Sequence, residues 1–123
     1  FAGLAEDCLA RRLDGSLLTF ASDESCFSYA ETDAEGVVVR TREKEAISRH
    51  AIAGAYMFAR GADFVRAAIN MMIYGDKAKN EYYMSNVYNH AVRLGLKTGV
   101  YDIAADAFAC VGTPRQLREY LER

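Results

Sequence analysis

The stretch that decides the fold spans residues 42–58 and reads REKEAISRHAIAGAYMF. Its first part is charged, whereas residues 51–58 carry no charge and have a glycine, Gly54, near the middle. An uncharged run of this length between polar segments is typical of a β-strand buried on both faces. Because glycine weakens a strand interior, it usually marks a bulge or the close approach of a ligand or another backbone. The stretch therefore predicts a buried strand with a charged entrance that suits a polar ligand at a sheet edge.

Composition places the chain among ordinary globular proteins. Its 123 residues form one domain at most, with 51% hydrophobic and 26% charged residues. The formal net charge is −2 and the basic residues are scattered, which argues against nucleic acid as a partner. No apolar run approaches the ~18 residues that cross a bilayer, and the segment after Phe1 has no signal-peptide pattern. We therefore expect a cytoplasmic protein that does not bind membranes.

The three cysteines are Cys8, Cys26 and Cys110. They are odd in number, widely spaced and without a Cys-x-x-Cys pair. This pattern favours buried thiols in a reducing compartment over a disulfide framework or a zinc site.

Hydrophobic periodicity predicts strands and helices that alternate along the chain. The first half is predicted to contain a helix over residues 3–13 that Gly15 stops, and strands over 17–21, 27–32, 37–42 and 51–58. The turn at residues 33–36 joins the second and third strands as a hairpin.

The second half is predicted to contain two amphipathic helices, two strands and a closing helix. The helices begin near Asp63 and Met84, Gly95 ends the second, and the strands cover residues 98–103 and 107–111. Thr113 is predicted to cap the last helix with Pro114 at its first position, Gln116 completing a capping box, and an apolar side made by Leu117, Tyr120 and Leu121. The fold class is α/β, a mixed sheet with flanking helices.

Glu43 and Lys44 stand where the third strand meets the following loop. Neighbouring strand residues point to opposite faces, so both can serve one ligand only if the strand bulges or ends there. Ile52 and Tyr56 share the face of Gly54 by the two-residue period and could border the same pocket. The alternatives are a solvated ion pair, a glycine that makes room for a neighbouring side chain, and a half-buried core tyrosine.

These residues resemble the sugar-phosphate nucleotidyltransferase family, the sugar-nucleotide pyrophosphorylases. The family has a Glu-Lys pair at a strand end, a Ser that matches Ser48, a Gly-x-Tyr strand that matches Gly54–Tyr56, and a Gly-Thr-Pro turn that matches residues 112–114. The resemblance implies part of a Rossmann-like, GT-A-like fold in which Glu43 accepts hydrogen bonds from sugar hydroxyls and Lys44 meets the phosphate. It also implies that Ile52, Gly54 and Tyr56 line the sugar site.

The resemblance covers the second half of the family's catalytic domain. Residues 1–123 are therefore expected to be a single partial domain, the C-terminal, sugar-phosphate-binding half. The family transfers a nucleotidyl group from a nucleoside triphosphate to a sugar-1-phosphate, giving an NDP-sugar and pyrophosphate. Its glycine-rich triphosphate loop belongs to the missing N-terminal half, so this chain alone should be inactive.

Two positions depart from the family pattern. Glu45 replaces the proline that usually follows Glu-Lys, and Cys110 replaces an aspartate that binds Mg²⁺ in the full-length enzyme. A thiol is a poor ligand for Mg²⁺, which prefers oxygen. Asp102 and Asp106 are the carboxylates that could substitute for it.

Three further features have both a functional and a structural interpretation. The segment Glu81–Tyr83 resembles a family segment near the sugar pocket, but it also suits a helix start with two core aromatic residues. His50 and His90 have no metal-ligand spacing, which favours satisfied structural histidines.

Three functions stay open. The leading one is the sugar-phosphate half of a nucleotidyltransferase that activates a sugar for surface polysaccharide; the alternatives are a non-catalytic sugar-phosphate-binding or assembly module of the same descent and a plain α/β interaction domain. The expected partners are a sugar-1-phosphate and, through the missing half, a nucleoside triphosphate. The sequence leaves the sugar, the base and a homo-oligomer undecided.

Overall fold

The computed structural model describes residues 1–123 and contains one five-stranded sheet with helices around it. The strands are β1 (Gly15–Ala21), β2 (Tyr29–Thr32), β3 (Val38–Arg42), β4 (His50–Phe58) and β5 (Thr98–Ile103). The helices are α1 (Ala2–Ala10), α2 (Gly61–Ile73), α3 (Met84–Arg93) and α4 (Pro114–Leu121), with a short 3₁₀ turn at Ala105–Ala107. The predicted α/β class with a mixed sheet and flanking helices is confirmed.

The strands lie side by side in the order β3-β2-β4-β1-β5. β1 runs parallel to β5 and antiparallel to β4, and the β2–β3 hairpin is joined to β4 by only two residue pairs, Tyr29 with Ala51 and Ala30 with His50. β1 is therefore paired on both sides along its length, whereas β4 is paired on both sides only at its start.

The prediction that residues 51–58 are buried on both faces is wrong for most of the strand. Only Ala51 and Ile52 are buried, Gly54 is exposed, and the remaining residues are half-buried. The hairpin leaves β4 after its first residues, so the second part of the strand has a strand neighbour on one side only.

Of the two interpretations of Gly54, a bulge or a close approach by a ligand or another backbone, the bulge is confirmed. Leu17 pairs with Tyr56 and Thr19 pairs with Ile52, so that Leu18 alone faces residues 53–55 of β4. Gly54 lies at the centre of this bulge with φ 82°, a left-handed conformation that glycine adopts without steric cost.

A second bulge lies in the β2–β3 hairpin and changes the face to which β3 side chains point. Glu31 pairs with Arg40 and Thr32 with Val38, which leaves Val39 as one extra residue. As a result Val38 and Thr41 are both buried, although strict alternation would place them on opposite faces. The same shift turns the next alternate residue, Glu43, towards the protein, where its side chain is only 7% exposed.

The core sits between the sheet and the α2–α3 pair. Tyr88 of α3 packs against Leu17 and Ile52 of the sheet, and its hydroxyl donates a hydrogen bond of 2.9 Å to the carbonyl oxygen of Met57. The two helices pack on each other through a separate apolar cluster made by Ala67, Met71, Val87 and Ala91. This packing fixes α3, whose first turn reaches the end of β3.

Two predicted elements differ from the structure. Gly15 does not stop a helix: α1 ends at Ala10, and Gly15 begins β1, where a Cβ would lie 3.0 Å from the carbonyl oxygen of Met57. Residues 107–111 form no strand, because Phe108 stacks on Phe20 at 4.3 Å and anchors an irregular segment instead of joining the sheet. None of the helices is long and apolar enough to cross a membrane.

Candidate functional site

A cavity of about 390 Å³ opens beside the end of β3 and the bulged part of β4. All five residues that the sequence predicts for the site line it: Glu43, Lys44, Ile52, Gly54 and Tyr56. The structure thus brings the charged pair and the glycine-containing strand to one place. The remaining lining residues come from the loop before β2, from the segment before α4 and from the first turn of α4: Cys26, Phe27, Ser28, Cys110, Gly112, Thr113 and Gln116.

Glu43 and Lys44 share the cavity because the strand ends before them. β3 stops at Arg42, and Lys44 adopts a left-handed conformation with φ 57°. The ammonium nitrogen Nζ lies 3.7 Å from Glu43 Oε1 and donates a hydrogen bond of 2.7 Å to the carbonyl oxygen of Cys26. The condition for a shared ligand, a strand that ends or bulges at the pair, is met.

The carboxylate of Glu43 is held by two serine hydroxyls. Ser28 and Ser85 both donate hydrogen bonds to Oε2, the second at 3.1 Å. Oε1 carries only the ion pair with Lys44, whose side chain is 41% exposed. The arrangement fixes one carboxylate oxygen and leaves the other oxygen able to accept hydrogen bonds, beside an ammonium group that can pair with an anion.

Position 54 favours glycine because of its backbone conformation, and not because neighbouring atoms leave no room for a side chain. A Cβ at this position would meet no atom within 4 Å, which excludes the alternative that the glycine makes room for a neighbouring side chain. The backbone is therefore bare on the cavity side, and a ligand can approach it closely.

Tyr56 packs against the core and also lines the cavity. Its ring stacks on Tyr88 with centroids 5.9 Å apart, and its hydroxyl makes no hydrogen bond within the chain. Burial raises the pKa of Tyr56 to about 12, with a further contribution from the negative charge of Glu43. The hydroxyl therefore stays protonated at neutral pH and can donate a hydrogen bond.

The Gly-Thr-Pro turn at residues 112–114 borders the same cavity, although it lies about 60 residues after Gly54 in the sequence. Thr113 caps α4, as predicted: its Oγ1 accepts a hydrogen bond of 3.2 Å from the backbone N–H of Gln116, and Pro114 follows at the first helical position. The apolar side of α4 is largely exposed, with Leu117, Tyr120 and Leu121 all outside the core.

Sequence reasoning missed the loop that carries Cys26, Phe27 and Ser28. The pairing of Tyr29 with Arg42 places Ser28 opposite Glu43, but this register includes the extra residue Val39, so no signal in the sequence could have found it. The prediction of buried thiols holds for Cys8 alone, since Cys26 is exposed and Cys110 is half-buried, and both line the cavity. Both lie in surface loops rather than in the sheet, where burial is incomplete.

The donors around the cavity do not fit Mg²⁺. The single carboxylate is already bonded by two hydroxyls, the thiols of Cys26 and Cys110 are poor ligands for this ion, and the remaining side-chain donors are neutral hydroxyl and amide groups. Neither Asp102 nor Asp106 lines the cavity, and no three His, Cys, Asp or Glu side chains gather anywhere to hold a metal.

The remaining predicted features have structural partners. His90 is buried with Nε2 2.7 Å from Asp76 Oδ2, and His50 Nδ1 lies 3.0 Å from Asp102 Oδ1. Ser48 does not enter the cavity, because its hydroxyl donates a 2.6 Å hydrogen bond to the carbonyl oxygen of Ala30. The segment 81–83 leads into α3 and does not line the cavity either, which favours its structural interpretation.

A second cavity of about 380 Å³ lies on the other side of Glu43, between the end of β3 and α3. Its lining is almost entirely polar and includes Asp76, Ser85 and Asn89. Each of these groups has a partner within the chain: Asp76 contacts His90, Ser85 donates to Glu43, and Asn89 both accepts from the N–H and donates to the carbonyl of Thr41. The hydrogen bonds around this cavity therefore hold the edge strand β3 and the turn that carries Glu43 in place.

Comparisons with solved structures match this fold. The chain superimposes on a nucleoside-diphosphate-sugar pyrophosphorylase from Vibrio cholerae RC9 with a TM-score of 0.84 and 25% identity, over 94% of this chain and 49% of that one. It also matches a CMP:2-keto-3-deoxy-manno-octonic acid synthetase complexed with CTP (TM-score 0.62, 14% identity, 96% of this chain and 52% of that one). A third match is a Bacillus anthracis protein provisionally named a glucose-1-phosphate thymidylyltransferase (TM-score 0.67, 17% identity, 94% of this chain and 45% of that one).

No protein-family profile and no curated protein matches the sequence. The chain spans about half the length of the solved structures that it matches. The structural match confirms the resemblance seen in the sequence: the chain has the fold of about half of a nucleotidyltransferase of the nucleoside-diphosphate-sugar pyrophosphorylase kind.

Proposed function

We propose that this chain is the C-terminal, sugar-phosphate-binding half of a nucleotidyltransferase domain. The observation that carries the proposal is the single cavity that unites the Glu43–Lys44 pair, the bare backbone at Gly54 and the Gly112–Thr113 turn. The structural likeness to a nucleoside-diphosphate-sugar pyrophosphorylase supports it. We place this function in the cytoplasm, in the supply of activated sugars for surface polysaccharide.

In this proposal each side chain contacts a different part of the ligand. Lys44 meets the phosphate as a point charge, and Glu43 accepts hydrogen bonds from sugar hydroxyls through Oε1. Tyr56 donates a hydrogen bond, and Gly54 lets the sugar ring approach the strand. Charge-assisted hydrogen bonds of this kind contribute roughly 1.5–3 kcal/mol each in a sheltered site.

The reaction would be an attack of a sugar-1-phosphate oxygen on the α-phosphorus of a nucleoside triphosphate. A new P–O bond forms as the bond to the leaving pyrophosphate breaks, so that an NDP-sugar and pyrophosphate result. Such transfers depend mainly on positioning and charge neutralisation. This chain supplies the sugar-phosphate side, and the triphosphate side belongs to the other half of the fold, so the chain alone is inactive. Mg²⁺ belongs to the family's full-length enzymes.

A second candidate is a module that binds a sugar phosphate without catalysis. Cys110 favours it, because a thiol stands in the cavity where the family pattern has a metal-binding aspartate. Both candidates use the same cavity and differ in whether the protein turns the ligand over.

Binding is tested with residues 1–123 and a panel of sugar-1-phosphates in a thermal-shift assay. A ligand at a hundred times its Kd should stabilise the fold by ~2.7 kcal/mol. The Lys44→Ala variant should lose the shift, whereas Lys97→Ala, which removes an exposed lysine outside the cavity, should keep it. No shift with any sugar-1-phosphate, or an equal shift in both variants, would reject the proposed site.

Turnover is tested with the product translated from the gene's own start codon. Release of pyrophosphate from a sugar-1-phosphate and a nucleoside triphosphate supports the enzyme. Binding without release supports the non-catalytic module.

A further inference from the structure

The cavity that contains Glu43 and Lys44 is also lined by two thiols from different segments of the chain. Cys26 lies in the loop before β2, and Cys110 lies in the irregular segment before α4. Neither residue belongs to a strand or a helix, so the backbone at each position can adjust without breaking the hydrogen bonds of the sheet or of a helix.

An aromatic cluster holds these two segments against each other. Phe27 follows Cys26 directly, Phe108 lies two residues before Cys110, and their rings meet edge to face with centroids 6.0 Å apart. Both rings also pack on Phe20 of β1, with centroid distances of 5.1 and 4.3 Å. Because the same cluster anchors both segments, the two thiols are held on neighbouring walls of one cavity.

The third cysteine cannot compete with this pair. Cys8 is fully inaccessible, and its thiol donates a hydrogen bond of 3.6 Å to the carbonyl oxygen of Leu13. Cys26, in contrast, is exposed and Cys110 is half-buried. Of the odd number of cysteines, one is therefore fixed in the interior, and the other two form a pair that solvent reagents can reach.

We propose that Cys26 and Cys110 form a reversible disulfide across the cavity, so that a peroxide oxidant closes the sugar-phosphate site. The closure of that site rests on the proposed function, whereas the disulfide itself does not. The bridge ties the loop whose Cys26 carbonyl oxygen accepts the 2.7 Å hydrogen bond from Lys44 Nζ to the segment that leads into the Gly112–Thr113 turn. Disulfides in reducing compartments are usually transient and redox-sensing, which suits a pair of loop thiols at a binding site.

The oxidation is balanced by one molecule of hydrogen peroxide. The sulfur of Cys110 attacks a peroxide oxygen, an S–O bond forms as the O–O bond breaks, and the leaving hydroxide takes the thiol proton as water. The sulfur of Cys26 then attacks the resulting sulfenic acid: the S–S bond forms, the S–O bond breaks, and a second water leaves with the proton of Cys26. Cys26 takes the second role because burial and the charge of Glu24 raise its pKa and keep it protonated at neutral pH.

Oxidation of the chain with hydrogen peroxide tests the bridge. We expect both maleimide-reactive thiols to be lost, the mass to fall by two hydrogen atoms, and the non-reduced peptide map to contain a Cys26–Cys110 cross-link that dithiothreitol reverses. In Cys26→Ser the sulfenic acid should persist on Cys110, where dimedone labels it, whereas Cys8→Ala should form the same bridge as the unchanged protein. Absence of the cross-link from the map of the unchanged protein, or a bridge between two copies of the chain, overturns the proposal.

Closure of the site is measured with and without a ligand. The thermal shift with a sugar-1-phosphate should be lost on oxidation and return with dithiothreitol, and in Cys110→Ser the oxidant should not change it. Acylation of Lys44 by an N-hydroxysuccinimide ester should slow on oxidation, whereas acylation of Lys97, outside the cavity, should not. A reduced chain that shows no thermal shift rejects the proposed function alone, because Lys44 still reports on closure. A bridge that leaves Lys44 as reactive as before overturns the switch.

Discussion

The ammonium nitrogen of Lys44 lies 3.7 Å from Glu43 Oε1, although side chains of adjacent residues in a continuing strand point to opposite faces. Two backbone features produce this geometry. The bulge at Val39 turns Glu43 inward, and the left-handed conformation of Lys44 brings its side chain back to the same cavity. The site is therefore a property of how β3 ends.

The conformation of Lys44 predicts a difference between two substitutions. A residue with a Cβ at φ 57° is strained by about 1–2 kcal/mol relative to glycine. Both Lys44→Gly and Lys44→Ala remove the ammonium group and should lose sugar-phosphate binding. In urea unfolding, however, the glycine variant should be more stable than the alanine variant by about 1 kcal/mol. Equal stabilities would contradict the left-handed geometry.

Glu43 is predicted to matter for both stability and binding. Replacing it by alanine leaves the hydroxyls of Ser28 and Ser85 without their acceptor, which should cost about 1–3 kcal/mol of unfolding free energy. Glu43→Gln keeps an oxygen for the two serines, so it should cost less stability while still losing the ion pair with Lys44. Paired unfolding and binding measurements check this order, and a glutamine variant as unstable as the alanine variant would contradict it.

Gly54 and Gly61 form a matched pair for testing the role of backbone conformation. A Cβ added at either position meets no atom within 4 Å, but only Gly54 has a positive φ. Gly54→Ala should therefore lower the free energy of unfolding by about 1–2 kcal/mol. Gly61→Ala, at the start of α2, should be neutral or stabilise by up to about 1 kcal/mol. A similar effect at both positions in chemical denaturation would disprove the assigned bulge.

The sequence predicted the element types well because hydrophobic periodicity is local. The strand at residues 98–103, the hairpin around 33–36 and the cap at Thr113 all lie where the pattern placed them. The five predicted site residues came from the Glu-Lys pair and the Gly-x-Tyr strand, and all five line the cavity.

The parts that were missed depend on interactions between distant segments. Alternation in the sequence gives no sign of the one-residue bulge at Val39. If the two strands are paired residue by residue from the hairpin turn without this bulge, Ser28 falls opposite Arg42 instead of Glu43. Residues 107–111 have strand-like composition, but the stacking of Phe108 on Phe20 decides their path. The partial exposure of β4 follows from a hairpin that pairs with only its first residues.

The hydrogen bond between Asp76 and His90 predicts a pH dependence of stability. Burial alone would raise the pKa of Asp76, but hydrogen bonds from Asn86 and His90 and the charge of His90 outweigh it and hold the pKa below its usual range. A carboxyl whose pKa is lower in the folded state adds stability that is complete above its unfolded pKa and is lost as the pH falls through the folded one. Urea unfolding between pH 6 and about pH 3 should therefore show less acid destabilisation in Asp76→Asn than in the unchanged protein. Parallel curves for the two proteins would exclude this pair as a source of the dependence.

The positions of the three cysteines predict which thiols react. Cys26 and Cys110 line the cavity, whereas Cys8 lies on the buried side of α1 and is fully inaccessible. A maleimide should modify Cys26 and Cys110 in the folded protein and reach Cys8 only after unfolding, as peptide mass spectrometry can show. Because burial and the charge of Glu24 raise the pKa of Cys26, its labelling should accelerate only well into the alkaline range. A saturating sugar-1-phosphate should slow labelling of both cavity cysteines, while inorganic sulfate at the same ionic strength controls for salt. Labelling of Cys8 at the same rate as the other two would contradict the packing of α1 against the sheet.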